Sequence, residues 1–193
     1  MSDSTAYVPQ KENTKLAMWI FLGGEVIFFT TLILGYVFYR LTVPAEQYAH
    51  FHELLQANLT IIAVNTFVLI ASSYAVVRAI EAIRADNQRS LKLWLGGVLL
   101  LGAVFLGGQA FEWTTMIGEG AGLQDSMAAA FFTTTGVHGT HVFVGLIWGV
   151  IVLVNANRKY FHKKYYLGVE MFGLYWHFVD IVWIVLFTLL YLI

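Results

Sequence analysis

The sequence has 193 residues, of which 59% are hydrophobic and only 12% are charged. A soluble globular protein carries about 25% charged residues, so the composition excludes an ordinary water-soluble domain and is typical of a membrane protein. The chain has no cysteine, which excludes disulfides, thiolate–metal sites and thiol catalysis. The net charge of -1 gives no electrostatic basis for binding nucleic acid.

Residues 1–14 are polar and lack the basic-then-apolar order of a cleavable signal peptide. We interpret them as a short disordered N-terminal tail before a single transmembrane domain over residues 15–193. Within this domain, five stretches reach the roughly 20 apolar residues that a helix needs to cross a bilayer. Because backbone groups in lipid must be bonded within their own segment, the sequence predicts an all-α, polytopic bundle of five transmembrane helices. Their approximate bounds are 16–39, 59–79, 91–111, 127–154 and 171–193.

The distribution of basic residues predicts the orientation, because cytoplasmic loops are enriched in Lys and Arg. With five spans, the N-terminal tail, the second loop and the fourth loop share one side of the membrane. That side carries ten of the eleven basic residues, and the other side carries only Arg40. The sequence therefore predicts a cytoplasmic N-terminus.

Glu25 lies in the first span, nine residues after Leu16 and roughly 14 Å from the cytoplasmic end of the helix. A charged group at the bilayer centre costs at least ~2.5–3.5 kcal/mol, so such a residue is paired, neutralised or functional. One interpretation is a proton-exchanging carboxylate. The other is a protonated Glu that is hydrogen-bonded to another helix, and the two are compatible.

Two further polar pairs lie inside the predicted spans. His138 and His141 are three residues apart in the fourth span, which places both rings on one helix face. His177 and Asp180 have the same spacing in the fifth span, at a depth close to that of Glu25. These residue types can bind a metal or haem iron. The alternative is an interhelical hydrogen-bond network that fixes helix pairing.

The remaining candidate residues lie near helix ends or at small-residue positions. We interpret Glu112, at the outer end of the third span, as a helix-end polar residue that remains charged near water. Glu170 opens the fifth span, where the helix dipole favours a carboxylate, so a capping role is predicted. Gly145 and Gly149 form a GxxxG segment, which indicates close helix packing within the bundle, with homodimerisation as the alternative.

Three motifs occur in order along the chain: residues 18–29 (MWIFLGGEVIFF), 134–145 (TTGVHGTHVFVG) and 175–183 (YWHFVDIVW). They resemble the buried-Glu helix, the Thr-Gly-Phe-His-Gly-Leu-His pattern and the Tyr-Trp-His-Phe-Val-Asp signature of subunit III of the haem–copper oxidases. The QAFE sequence at 109–112 is similar to the end of the preceding family helix. The chain departs from the family at Val137 and Thr140, and it lacks the first two helices of the seven-helix members.

The resemblance implies a non-catalytic subunit III of a bacterial terminal oxidase in the inner cell membrane. Such a complex belongs to the respiratory chain, reduces O2 to water with electrons from cytochrome c or quinol, and pumps protons. The resemblance also implies that haem and copper lie in partner subunits I and II, and that this chain holds no metal. Phospholipid is then expected at the contact with subunit I.

The resemblance assigns different roles to the polar residues. Glu25 corresponds to a family carboxylate implicated in lipid-cleft and proton-uptake behaviour beside subunit I. The other polar residues are expected to form a structural network; they are His138, His141, His177, Asp180, Glu112 and Glu170.

Two other functions remain open at this point. One is a subunit III-like protein that accompanies nitric oxide reductase. The other is a free-standing proton-coupled transporter that uses Glu25 and Asp180. Transporters usually show inverted repeats, and the sequence shows no internal repeat, which disfavours this second alternative.

Overall fold

The computed structural model describes residues 4–122 and 126–193, with side chains from Lys11 onward, and these ranges are almost entirely helical. A five-residue π-helical turn, Thr188–Leu192, continues the last helix. The helices are α1 (Ser4–Thr42), α2 (Ala45–Ala57), α3 (Leu59–Arg84), α4 (Gln88–Gly118), α5 (Ser126–Asn157) and α6 (Leu167–Phe187).

Within the described ranges, five helices are long and apolar enough to cross a membrane: α1, α3, α4, α5, and α6 together with its π-helical turn. This confirms the prediction of an all-α protein with five membrane spans. The helices extend beyond the predicted apolar stretches, because a helix that leaves the hydrocarbon region can continue through polar residues at the interface. The cytoplasmic placement of the N-terminus stays a prediction.

Residues 4–14 differ from the disordered tail expected over residues 1–14, because α1 is helical from Ser4; residues 1–3 lie outside the described residues. Extending an existing helix avoids the cost of nucleating a new one. Contacts with the start of α6 also hold this part of α1 in place. The Lys15 ammonium lies 3.1 Å from Glu170, and the Lys11 ammonium lies 5.6 Å from the centroid of the Tyr166 ring.

The short helix α2 was not predicted from the sequence. It follows Pro44, whose fixed φ angle and missing N–H suit the start of a helix. Phe51 and Leu55, one turn apart, are each only 1% exposed, and the Phe51 ring packs edge-on against Phe131 of α5. The first connection between spans is therefore an amphipathic helix that covers one end of the bundle.

The centre of the bundle is α6, which packs against α3, α5 and α1. Trp176 and Trp183, two turns apart on α6, are fully buried. Their indole N–H groups donate to hydroxyls of α3, from Trp176 to Ser72 at 2.9 Å and from Trp183 to Thr66 at 2.9 Å. In lipid, close packing and such hydrogen bonds drive helix association, so these contacts tie α6 to α3.

The GxxxG segment of α5 lies at an internal contact. A methyl group on Gly145 would approach the Trp176 ring to 2.9 Å, and one on Gly149 would approach Leu99 to 2.8 Å and Phe172 to 3.1 Å. These two positions therefore allow α5 to pack closely against α6 and α4 of the same chain.

Candidate functional site

Glu25 and His141 form a polar pair between α1 and α5. Glu25 Oε2 lies 3.2 Å from His141 Nε2, and each side chain is 20% exposed. The Phe29 ring packs edge-on against His141 with a centroid distance of 4.9 Å. The pair is thus a partly accessible acid–base couple within two membrane-spanning helices, bordered by aromatic rings.

The hydrogen bonds of His141 restrict where protons can reside in this pair. His141 Nδ1 lies 2.9 Å from the Val137 carbonyl oxygen, which only accepts, so the proton of a neutral ring belongs on Nδ1. Nε2 then presents a lone pair, and its bond to Glu25 requires a proton from the carboxyl group. Transfer of that proton to Nε2 would give a carboxylate–imidazolium pair. The arrangement therefore holds one exchangeable proton.

A small cavity of about 230 Å³ lies beside the exposed side of His141. Tyr175 forms part of its wall and donates a hydrogen bond from its hydroxyl to the His141 carbonyl oxygen at 3.0 Å. The cavity gives the imidazole contact with the outside of the bundle. Its lining residues are Phe21, Thr140, His141, Val144, Trp148 and Tyr175.

His138 lies on the same side of α5 as His141 but has a different environment. It is 1% exposed and stacks on Trp183 with a centroid distance of 5.0 Å. Phe29 contacts both imidazoles. Within residues 11–122 and 126–193, neither ring nitrogen of His138 has a hydrogen-bond partner, so His138 contributes packing rather than a polar link.

His177 and Asp180 lie near α3 rather than near Glu25. His177 Nδ1 is hydrogen-bonded to the Ser73 hydroxyl. Asp180 is 4% exposed, and the Ser73 side chain is a polar neighbour of its carboxyl group. No side chain in the described ranges meets hydrogen-bond geometry with either Asp180 carboxylate oxygen. The predicted similarity in depth therefore does not bring these two residues into the Glu25–His141 pair.

The polar residues of α3 were missed in the sequence interpretation. Asn65 donates to the Phe105 carbonyl oxygen of α4 at 3.0 Å, while Thr66, Ser72 and Ser73 bond to α6. The signal that could have identified them is their spacing, because residues seven apart return to one helix face. Small polar residues at such positions are typical of interhelical contacts in membranes.

The position of Glu112 differs from the expectation that it is a charged residue at a helix end near water. The helix α4 continues to Gly118, and Glu112 is only 2% exposed. Its carboxyl oxygens accept hydrogen bonds from the Tyr191 hydroxyl at 2.7 Å and from the Gln109 amide. The π-helical turn that carries Tyr191 therefore covers Glu112 and separates it from water.

Glu170 lies in the first turn of α6, where the helix dipole favours its charge. Its carboxylate pairs with two cations from other helices, Lys15 of α1 and Arg84 of α3, at 3.1 Å each. The N-cap residue of α6 is Tyr166, and no side-chain cap hydrogen bond is present there. Glu170 instead forms a junction that joins three helices at one end of the bundle.

These contacts divide the predicted polar network into separate groups. Glu25 pairs with His141, His177 with Ser73, and Glu112 with Tyr191. In the described part of the chain, no three His, Asp or Glu side chains converge on a point where they could hold a metal ion. The contacts that these residues do make join helices of this chain.

Fold and site together define a five-span helical membrane protein with one partly accessible acid–base pair and buried interhelical hydrogen bonds. The model of the family described as "Cytochrome c oxidase subunit III" matches residues 3–193. The chain belongs to the cytochrome c oxidase subunit III family, which confirms the resemblance drawn from the three motifs.

Curated relatives come from two kinds of oxidase. Cytochrome c oxidase subunit 3 of Thermostichus vulcanus is 36% identical over 180 residues, covering 92% of this chain and 86% of the relative. The protein of the same name from Bacillus sp. (strain PS3) is 36% identical over 186 residues, covering 94% and 86%. Quinol oxidase subunit 3 of Bacillus subtilis (strain 168) is 35% identical over 178 residues, covering 92% and 85%.

Proposed function

We propose that this chain is a non-catalytic subunit III of a bacterial haem–copper terminal oxidase in the inner cell membrane. The complex reduces O2 to water with electrons from cytochrome c or quinol and couples the reaction to proton pumping. Haem and copper belong to partner subunits I and II. Membership of the family and the relatives named for both cytochrome c and quinol oxidases support this proposal.

The observation that carries the functional role is the Glu25–His141 pair. It holds one exchangeable proton, it lies within membrane spans, and it is open on one side of the bundle. Ionisable residues inside a membrane typically serve proton or ion pathways, or bind a partner. We assign the pair a proton-handling role beside subunit I, and we assign phospholipid to the contact between the two subunits.

The buried hydrogen bonds support the second part of the role, which is stability. Hydrogen bonds tie α6 to α3 and the π-helical turn to α4 within the bundle. A rigid neighbour restrains the membrane-facing helices of subunit I, and this protects the catalytic site during turnover. His138, His177, Asp180, Glu112 and Glu170 act in this structural part of the function.

Removing this subunit from the purified oxidase tests the non-catalytic role. We expect the haem and copper content per subunit I to remain unchanged, while the active lifetime during sustained O2 reduction becomes shorter. Haem spectra and metal analysis before and after depletion measure the first quantity, and the decay of O2 consumption measures the second. Loss of haem on depletion would contradict the proposal. Purification of the chain without haem-bearing partners would instead favour a free-standing transporter.

The substitution Glu25→Gln tests proton handling within the intact complex. The amide N–H can still donate to His141 Nε2, so assembly is retained, but the side chain can no longer exchange a proton. We expect severalfold slower proton uptake, measured with a pH-sensitive dye in stopped flow, at normal haem content. Glu119→Gln, at an exposed acid beyond α4, is the control. Proton uptake at the wild-type rate in Glu25→Gln would refute the assignment.

A further inference from the structure

Asp180 is a buried acid that helix pairing leaves unexplained. It lies within a membrane span and is 4% exposed, and neither of its carboxylate oxygens has a hydrogen-bond partner within residues 11–122 and 126–193. Glu25 and Glu112, by contrast, each bond to a side chain of another element. Because a buried polar group without a partner is costly, the position of Asp180 points to a function other than packing.

The Ser73 hydroxyl connects Asp180 with His177. The two α6 residues are three positions apart and share one helix face, and Ser73 of α3 lies opposite that face. Its hydroxyl is hydrogen-bonded to His177 Nδ1 and is a polar neighbour of the Asp180 carboxyl group. A hydroxyl both donates and accepts, so Ser73 can pass a proton between them. Because its contact with Asp180 lacks full hydrogen-bond geometry, this step requires a rotation of the carboxyl group.

His177 connects this group with the surface of the bundle. Its side chain is half-buried and lines a cavity of about 290 Å³ between α1, α3 and α6. Because Nδ1 is occupied by the Ser73 hydroxyl, Nε2 is the ring nitrogen that the imidazole can offer to the cavity. A proton that enters or leaves the group therefore passes through Nε2.

The same cavity contains charged side chains that reach water. Lys15, Arg84 and Glu170 line it together with His177, and the side chains of Lys15 and Arg84 are 40% and 58% exposed. A cavity holds water when it has polar partners and more than roughly 15 Å³ of space, and this cavity has both. His177 is seven residues, or roughly 10 Å along α6, from Glu170, so water in the cavity can carry a proton to the imidazole.

Two hydrogen-bond arrangements of this group differ by a single proton. In the first, His177 Nδ1–H donates to Ser73, and the Ser73 hydroxyl donates to an Asp180 carboxylate. When a proton binds to Nε2, the Nδ1 proton can move to the Ser73 oxygen while the hydroxyl proton moves to Asp180. In the second arrangement, neutral Asp180 donates to Ser73, and Ser73 donates to Nδ1 of a neutral imidazole. The added proton is thus stored on Asp180.

The ionisable side chains of the helices that pack against α6 have contacts elsewhere; they include Lys15, Glu25, Arg84, His138 and His141. Among the described residues, no cation forms an ion pair with Asp180. A proton is therefore the positive charge that can neutralise its carboxylate.

We propose that Asp180 is a second proton-holding site, which exchanges its proton through Ser73 and His177 with the end of the bundle that carries Lys15 and Arg84. The hydrogen bond between Ser73 and His177 thus serves proton transfer as well as helix pairing. The site extends the proposed proton-handling function to a second group. It does not depend on the Glu25–His141 pair, because the cavity beside His141 and the cavity beside His177 share no lining residue except Tyr175-free α6 neighbours of neither pair.

Hydrogen–deuterium exchange of the Asp180 carboxyl group tests the relay. The C=O stretching band of a neutral carboxyl group shifts in D2O, and infrared spectra of the intact oxidase with and without Asp180→Asn or Asp180→Glu isolate the band of Asp180. We expect the wild type to show this band and to shift it within the time of buffer exchange. Ser73→Ala and His177→Phe should each slow the shift severalfold, because they interrupt the relay.

The adjacent serines of α3 provide a matched control. Ser72 accepts a hydrogen bond from Trp176, so Ser72→Ala and Ser73→Ala each remove one contact between α3 and α6. We expect Ser72→Ala to exchange at the wild-type rate, and Ser73→Thr, which retains a hydroxyl, to do the same. Equal exchange rates in Ser72→Ala and Ser73→Ala would overturn the relay.

Two further results would overturn the inference. One is the absence of an Asp180 band from the wild-type spectrum, and the other is exchange at the wild-type rate in His177→Phe. Failure of the proton-uptake test with Glu25→Gln would leave the Asp180 band and its exchange unaffected, so the two proposals can fail separately.

Discussion

At the scale of single residues, the surroundings of each carboxyl group determine what it can do. Glu25, Glu112 and Asp180 all lie within membrane spans. Glu25 faces an imidazole and is partly exposed, Glu112 is enclosed by two hydrogen-bond donors, and Asp180 is buried beside a serine. Only the first combines a proton acceptor with access of its own from outside the bundle.

The Glu112–Tyr191 contact leads to a test of stability. Glu112→Leu leaves the buried Tyr191 hydroxyl without its acceptor, and we expect the free energy of unfolding to fall by about 1–3 kcal/mol. Glu112→Gln retains an acceptor oxygen and should lose less. Thermal unfolding of the oxidase in detergent, followed at this subunit, measures both. Glu119→Leu, at an exposed position, is the control, and equal unfolding temperatures for Glu112→Leu and Glu119→Leu would show that Glu112 stabilises nothing.

At the scale of helices, the sequence predicts the features that depend on the length of an apolar stretch. It does not predict the features that depend on contacts between distant parts of the chain. The five spans follow from apolar length alone. The start of α1 at Ser4 could not be predicted because its stabilising partners, Tyr166 and Glu170, lie far away in the chain. The helix α2 was missed because its 13 residues are too few to span a bilayer.

The same distinction applies to the candidate site. The three-residue spacing of His138 and His141 correctly indicates a shared helix face, since both contact Phe29. Spacing carries no information about which helix lies opposite, so the pairing of His141 with Glu25 and of His177 with Ser73 could not be derived. The burial of Glu112 could not be derived either, because it depends on how the π-helical turn at the end of α6 packs against α4.

The close approach of α5 to α6 leads to a prediction for the GxxxG segment. Gly145→Ala places a methyl group 2.9 Å from the buried Trp176 ring, so the helices must separate, and we expect a loss of about 1–3 kcal/mol of stability. Gly107→Ala in α4 meets no atom within 4 Å and should stabilise the helix by about 0.5–1 kcal/mol. Thermal unfolding of both variants measures the difference. An unfolding temperature of Gly145→Ala at or above that of Gly107→Ala would contradict the packing argument.

At the scale of the whole molecule, charge is segregated between the two ends of the bundle. The start of α1, the end of α3 and the start of α6 meet at the Glu170 ion pairs. The connection between α3 and α4 contacts the connection between α5 and α6, because Gln88 donates to the Phe161 carbonyl oxygen. The ten basic residues counted in the sequence therefore belong to elements at one end, whereas Arg40 bonds to the Ile193 carbonyl oxygen at the other.

This segregation makes the orientation testable by cysteine labelling, since the chain has no native cysteine. Arg158→Cys marks the basic end and Glu119→Cys the opposite end, and both positions are exposed. Because basic loops are retained in the cytoplasm, a membrane-impermeant maleimide added to spheroplasts should label Glu119→Cys directly. It should label Arg158→Cys only after the membrane is opened.

Labelling in the reverse order would place the basic end outside the cell, against the positive-inside rule. It would also move Lys15 and Arg84, which pair with Glu170, to the outer leaflet. The expected orientation places these cations at the cytoplasmic leaflet, whose surface potential is negative when anionic lipids are present. The net positive cluster of Lys15, Arg84 and Glu170 is then on the side of the membrane where this potential favours it, and Glu25 lies towards the cytoplasmic side, as its proposed proton-handling role requires.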